Sequence, residues 1–577
     1  MAADPTDTHT PRTSRLVLAA DIGPTIRAAA FDDIDSSLRL LRVGESIPTG
    51  GSPHFDPEIG IAAALSDLDG ALGAYADPGL PTPAAITGSR IGAALPALVF
   101  TNFPEPELVQ LEALLRANGF AIAGRVEIGS RRLLDRHDPE ALARQILEMC
   151  PRLVMLALGD DTGWESLAAF SELLRFAVRG RAPGYSPAVA ILYGEHPDQS
   201  IVNALNDAFI TRVVDIRGPG DGFNVQAAGG ALADLHGALV EQLAFNGLRP
   251  KSLSTSRVVP LNAALGRVAR SLAADGDLTL AVIHVEAPGA MIVLSHQGTI
   301  RTGVFGYHRA GATVEHIGLE LDLEELLHWV PFDITEAEAG AYFINRAARP
   351  WTVPETTIEA ALEQAASHMA LRQAVQYLGE ELPPLDLIAC TGRNLTGAPR
   401  PVQAALIAIN ACLPGGYCQI ALDRTGALPA EGALLDAGID LQPGGGLVHL
   451  STLIAGVGLD RPGRPALAVE LRADESEPIQ RQVNFGSMDR IMWDAANLGT
   501  VRGWPSGKLD IGGGHGRATT LRTRIAPGSG GLIIDARGRP IAWPEDVTHR
   551  RAAVLQWSQS TDSQSAPSPE LEPADEN

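Results

Sequence analysis

The chain has 577 residues, about four times the ~150 residues of a typical domain, so roughly three or four domains are expected. Hydrophobic residues make up 45% and charged residues 20%, ordinary globular values that exclude a wholly disordered chain. The 45 basic residues against 68 acidic ones give a net charge of −23, a surface that repels phosphate backbones and anionic lipid and so excludes nucleic-acid or membrane binding as a main activity. Lys251 and Lys508 are the only lysines, which removes most candidates for a phosphate-loop or Schiff-base lysine. Cys150, Cys390, Cys412 and Cys418 form no CxxC pair and read as buried apolar residues of a reduced protein. The polar N-terminus has no secretory apolar stretch, and no window reaches about 18 uninterrupted apolar residues. The expectation is a soluble cytoplasmic protein without a membrane span.

In chain order, residues 1–14 have almost nothing to bury and read as a disordered tail. An apolar run at 16–20 leads into Asp21, Ile22, Gly23, Pro24 and Thr25 and then a second small-residue run through Phe31. That pattern is a strand, a tight turn and a returning strand. Further strands are expected at 153–158, 188–192, 278–285, 291–294 and 385–389. Stretches of helical period separate them, the signature of an α/β architecture. Thr335 and Glu338 have capping-box spacing. After Pro354, Ile358, Leu362, Ala365 and Met369 fall on one helical face, with Gly379 as a left-handed stop. Residues 399–411 read as another apolar helix, closed by Leu413, Pro414, Gly415 and Gly416. From about residue 440, glycine-rich turns alternate with short strands at 466–471, 521–525 and 531–535, which predicts a separate β-rich domain over 439–557. Residues 558–577 read as a disordered acidic tail. A duplication of two strand-turn-strand halves is compatible with this order without being shown by it.

The chemistry-bearing candidate is the Asp21, Gly23, Thr25 string. In such a hairpin Gly23 lets the backbone approach a phosphate, Thr25 can donate its hydroxyl to a phosphate oxygen, and Asp21 can hold a magnesium ion through water. The same five residues also suit an ordinary structural turn. Leu158, Gly159, Asp160, Asp161, Thr162 and Gly163 read either as a ligand-facing turn or as a capped helix start. His308, His316 and His328 are spaced for no usual zinc motif. The glycine-rich run from Ile511 to Arg517 lacks a following helix or lysine and reads as a hairpin loop rather than an anion cradle. Glu324 with Glu325, and Glu380 with Glu381, read as solvated helix faces, and no GxSxG nucleophile elbow occurs.

Longer segments carry a resemblance. Thr396-Gly397-Ala398-Pro399-Arg400-Pro401-Val402-Gln403-Ala404-Ala405 is similar to the APRPxQAA helix start of the glutamate mutase L family, which is unrelated to the DNA mismatch-repair protein of similar name. Ile420 to Ala430, with Leu422-Asp423-Arg424-Thr425-Gly426-Ala427-Leu428-Pro429-Ala430, resembles its LDxxGLLPALGAL-like segment. Trp329-Val330-Pro331-Phe332 and the run from Gly531 to Pro540 look like family segments as well. The resemblance runs through most of residues 15–557. It implies an actin-like (sugar kinase/Hsp70/actin type) ATPase fold, with a first lobe at 15–250 and a second at 251–438, ahead of the β-rich domain at 439–557. It also implies ATP or ADP with magnesium as ligand, no bound cobalamin, and a protein partner, a cobalamin-dependent mutase or similar enzyme.

The second phosphate loop departs from the family pattern. Where the family has an Asp-x-Gly-Gly-Ala-Thr-Thr type loop, this chain has His284, Glu286, Ala287 and Pro288. A glutamate where a γ-phosphate should sit adds repulsion, and Pro288 lacks an N–H donor. The nucleotide-cradling turn retains Gly392 as its match, and Pro24 withdraws a donor from the first loop. The resulting expectation is a degenerate, non-hydrolysing accessory protein acting through partners. An active ATP-dependent reactivating factor is the alternative, and a small-molecule kinase a third reading without an obvious base.

Overall fold

The computed structural model describes residues 16–560 except 35–36, 48–56, 73–79, 90–94, 118–119, 129–139, 141–142, 145, 147–150, 159–163, 180–186, 194–197, 218–223, 246–252, 275–277, 287–288, 306–321, 350, 379–380, 474–476, 493–498, 526–529 and 542. The tail expected at 1–14, the loop at 159–163, Cys150, Pro288, His308, His316, Gly379, Glu380 and residues 561–577 therefore lie outside the described residues.

The alanine-rich runs at the N-terminus form the expected hairpin. Val17–Ile22 and Ile26–Ile34 pair antiparallel, with Ile22 opposite Ile26 and Asp21 opposite Arg27. Both strands are covered on both faces, which is why they read as continuous small apolar runs instead of alternating ones. Ser37–Ser46 adds a third antiparallel strand on one side. On the other side Ala85–Thr87 runs parallel to Val17–Ile22, and Arg257–Val258 runs parallel to Ala85–Thr87. Between these last two strands the chain inserts an all-parallel five-stranded sheet, ordered Phe120–Glu127, Leu95–Thr101, Leu153–Leu158, Ala188–Tyr193 and Thr211–Asp215.

The same arrangement recurs further along. Leu280–Glu286, Gly289–His296 and Thr299–Phe305 form an antiparallel set, and Leu387–Thr391 then Gly416–Asp423 follow in parallel on the other side of the first strand. Alternation puts Ala281, Ile283 and Val285 on one face of Leu280–Glu286 and Leu280 and Val282 on the other, and separate apolar clusters cover each. The registers align the two halves residue by residue. Asp21 lies beside Thr87, and Gly88 follows; His284 lies beside Thr391, and Gly392 follows. Gly88 and Gly392 both have positive φ, 137° and 90°, and their Cα atoms press on the backbones of Ile22 and Val285 respectively. His284 is thus the counterpart of Asp21, and Glu286 of Gly23.

Helices Leu261–Ala274 and Leu428–Asp436 each follow the last parallel strand of their set and pack against one another. Gly432 permits the crossing, because a Cβ there would collide with the Ala264 carbonyl. The expected capping box at Thr335 and Glu338 is present, and Thr356 with Glu359 forms another that the sequence reading missed. The helix expected at 399–411 is Pro401–Cys412.

The boundary expected near residue 438 does not separate sheets. Leu447–Ala455 pairs antiparallel with Gly416–Asp423, Leu532–Asp535 pairs parallel with Leu447–Ala455, and Met488–Ile491 closes the edge, making one eight-stranded sheet. Among the described residues beyond 438, Ile479–Asn484, Pro465–Ala473, Gly499–Pro505 and Thr519–Ile525 form a sheet of their own. The helix Val547–Ser560 takes in residues 558–560 of the expected tail and buries Val554 and Trp557 in the core that surrounds Ile283 and Ile388. In a glycine-rich texture, turns between short strands look alike whether the strands start a new sheet or extend an old one.

Candidate functional site

The turn at 23–25 closes on itself, with the Gly23 N–H donating to the Thr25 carbonyl at 3.0 Å. The two-residue period of the hairpin then places Asp21 and Arg27 side by side, and the parallel register adds Thr87 on the other flank of Asp21. Asp21, Thr25, Arg27 and Thr87 are all buried. Among the described residues, Asp21 Oδ1, Thr25 Oγ1 and Thr87 Oγ1 have no hydrogen-bond partner.

Glu286 faces this turn from the second half. A Cβ on Gly23 would lie 2.5 Å from Glu286 Oε2 and 2.9 Å from both the carboxyl carbon and Oε1, so the carboxylate lies against the Gly23 Cα. The Ser89 hydroxyl donates to Glu286 Oε2 at 2.7 Å, a bond between the two halves. His284 Nε2 stands 4.0 Å from the same oxygen. Arg393 bridges the halves nearby, donating to Glu45 Oε1 at 2.5 Å and to the Trp351 carbonyl at 2.9 Å. Arg27 Nε is 3.6 Å from Glu45 Oε2, and the Arg27 guanidinium lies against Gly426, whose φ is +67°.

These charges are coupled. Burial raises the pKa of Asp21 well above the carboxylate range, helped by Glu286, Asp423 and Glu45 and opposed by Arg27. Burial raises Glu286 too, against the pull of Arg27 and the Ser89 hydrogen bond. Burial alone would lower Arg27, but Glu286, Glu45, Asp21 and Asp423 outweigh it and hold the guanidinium charged. His284 is lowered to about 3, by burial first and by Arg27 second, and is neutral. Asp423 ends Gly416–Asp423 and accepts from the Thr391 and Thr425 hydroxyls at 2.8 and 2.9 Å and from the Leu428 N–H at 2.9 Å. It ties the second half's strands to the following helix.

Of the residues singled out from sequence, Asp21, Gly23 and Thr25 thus meet His284 and Glu286 in one buried cleft, while Gly392 packs behind it on Val285. Arg27, Ser89, Thr87, Glu45 and Arg393 were missed. An arginine in an alanine run, two residues past the turn, was a readable sign for Arg27. Ser89 had none, because only folding brings it within reach of a residue 197 positions away. Beside the cleft a pocket opens between Thr357–Gln376 and Arg393–Thr396, lined by Arg346, Glu363, Ser367, Arg393, Asn394 and Gly397.

The residues present do not fit a magnesium–nucleotide phosphate group. The space against Gly23 holds a carboxylate, and the counterpart of Asp21 in the repeat is a histidine. Among the described residues no three His, Cys, Asp or Glu side chains are grouped to hold a metal ion. The Ile511–Arg517 loop is likewise self-satisfied: Asp510 Oδ1 accepts from the Gly512 and Gly514 N–H groups, both at 2.8 Å. Cys390, Cys412 and Cys418 are free and buried, and burial raises all three thiols, Cys412 to about 12. Among the described residues no helix is long and apolar enough to cross a membrane.

No family model matches the chain, and no curated protein does. Among solved structures it is similar to component A of the (R)-2-hydroxyglutaryl-CoA dehydratase of Acidaminococcus fermentans, at 8% identity over 73% of this chain and 99% of that one, with a TM-score of 0.26. A diol dehydratase-reactivating factor in nucleotide-free form is 12% identical over 73% of this chain and 99% of its own, TM-score 0.26. A glycerol dehydratase reactivase is 12% identical over 74% of this chain and 100% of its own, TM-score 0.29.

Proposed function

We propose that the chain is a non-hydrolysing accessory protein of the glutamate mutase L type, with an actin-like pair of lobes, that acts through protein partners. The observation that carries the first half of this reading is the Glu286 carboxylate lying against Gly23, where a phosphate would need to come. Two like charges cannot share that space without a cost of several kcal/mol. The neutral His284, the counterpart of Asp21 in the repeat, takes the place of a second carboxylate that would orient an attacking water. The accessory role and the partner, a cobalamin-dependent mutase or similar enzyme, rest on the sequence resemblance at 329–332, 396–412, 420–430 and 531–540.

The competing reading is an ATP-dependent reactivating factor whose cleft opens to admit nucleotide. It draws on the unpartnered Asp21 Oδ1, Thr25 Oγ1 and Thr87 Oγ1, three buried oxygens that a hydrated ligand would satisfy. Purified protein assayed for phosphate release from ATP with magnesium separates the two. Background turnover, unchanged by Asp21→Ala, is expected; turnover that Asp21→Ala abolishes establishes the competing reading instead.

A further inference from the structure

The cleft joins its two halves with groups of the chain itself. Ser89 belongs to the first half and Glu286 to the second, and their hydrogen bond is fully buried. Gly23 and Glu286 occupy equivalent places in the repeated topology, and the carboxylate of one fills the space that the missing side chain of the other leaves. Arg27 supplies the positive charge, and Arg393 adds a smaller pull on Glu286. A glycine without a side chain, a hydroxyl donor and a buried guanidinium are the components of a site for a small oxyanion. Here that oxyanion is covalently part of the protein.

We propose that Glu286 is a built-in anion that fills a latent phosphate-type site on the Asp21–Thr25 turn and, through Ser89, latches the two halves closed without any ligand. This rests on the reading of the cleft as non-hydrolysing and adds what holds it closed and what its emptied seat would bind. Such a latch makes the closed form the ground state. A partner or a change at Glu286 is then needed to open the cleft, whereas in a ligand-gated cleft binding closes it.

The test compares the unaltered full-length chain with Glu286→Ala, Glu286→Gln and Ser89→Ala, titrated calorimetrically with inorganic pyrophosphate and with ADP, without metal. Removing the carboxylate takes away the like-charge repulsion, so Glu286→Ala is expected to bind pyrophosphate about 100-fold more tightly than the unaltered chain. Glu286→Gln keeps the shape and loses the charge, and is expected to gain about tenfold. It also gives the readout if the alanine variant folds poorly. Ser89→Ala keeps the carboxylate in place and is expected to gain no affinity, while hydrogen exchange over residues 17–34 speeds up as the latch loosens. Folded Glu286 variants that bind pyrophosphate no better than the unaltered chain overturn the proposal, whatever the exchange over 17–34. Turnover of ATP by the unaltered chain instead overturns the non-hydrolysing reading, and the ratio between variant and unaltered chain still decides the latch.

Discussion

Glu431 shows at one residue how the interior of this protein handles acid. It is buried on Leu428–Asp436, and its carboxylate accepts from the Gly444 N–H at 2.7 Å. Burial lifts its pKa to about 7 from 4.5, with Asp423 adding to the rise and the Gly444 and Gly445 amides opposing it. A raised carboxyl pKa means that between about pH 4.5 and 7 the folded chain keeps a proton that the unfolded chain releases. Stability therefore falls as pH rises through that window and levels off above it. Glu431→Gln keeps an acceptor for Gly444 and removes the titration. Relative to this variant, the unaltered chain should lose on the order of 3 kcal/mol across the window. Urea midpoints at about pH 5 and about pH 8 measure it, and parallel pH profiles for the two chains would refute the assignment. Nothing in the string Leu428-Pro429-Ala430-Glu431 marks that glutamate as buried. By contrast, His284 and Glu286 stand out in the sequence itself, because each differs from the residue type in the loop that the chain resembles. What Glu286 does in their place was not legible, because it depends on Gly23 and Ser89 arriving from the other half.

Paired elements explain why hairpins and caps were readable while crossings were not. The Val17–Ile22 hairpin and the Thr335 capping box are local, fixed by residues within a few positions of each other. The contact between Leu261–Ala274 and Leu428–Asp436 joins segments some 160 residues apart, and its requirement is a missing atom. A Cβ on Gly432 would collide with the Ala264 carbonyl, a backbone group that cannot swing aside. Arg267 and Arg257, both paired with Asp436 at 3.1 and 2.9 Å, hold the same crossing at its edge. Gly432→Ala must push the two helices apart, and overpacking of this kind costs about 1–3 kcal/mol. Helix propensity works the other way, favouring alanine over glycine by about 1 kcal/mol. A net loss of stability in thermal or urea unfolding means that the close crossing decides; a gain means that the helices separate freely and propensity decides. In sequence Gly432 looks like any tolerated helix glycine, so the crossing left no local trace.

For the molecule as a whole, the question is whether residues beyond 438 are an appendage or part of the second half. The sheet registers join Leu447–Ala455, Met488–Ile491 and Leu532–Asp535 to the second half's sheet, while the other four strands form a sheet of their own. Without Leu447–Ala455, the strand Gly416–Asp423 becomes an open edge rich in unpaired backbone groups. Without the helix Val547–Ser560, Trp557 leaves the cluster in which Trp329 stacks edge-on with His368 and Trp543 at 3.9 and 4.4 Å. The run from Gly531 to Pro540 contributes Asp535, held well below the usual carboxylate range by Arg537 and Arg539 despite burial that pushes it up. Arg537 also donates to Asn410 of Pro401–Cys412 at 2.8 Å and lies over the Trp557 ring. Three of the segments that carry the sequence resemblance, at 329–332, 396–412 and 531–540, therefore meet around one core, though they are scattered over some 200 positions. A chain ended after residue 438 is expected to lose the cooperative unfolding of its second half and to aggregate. Trp557→Ala in the full chain, which empties only one place in that core, should cost about 3–5 kcal/mol and still fold. Calorimetry and gel filtration of the two proteins distinguish the cases. A soluble truncated chain that keeps the unaltered protein's transition for residues 251–438 would show that the C-terminal strands are an added layer and that the second half closes its own sheet without them.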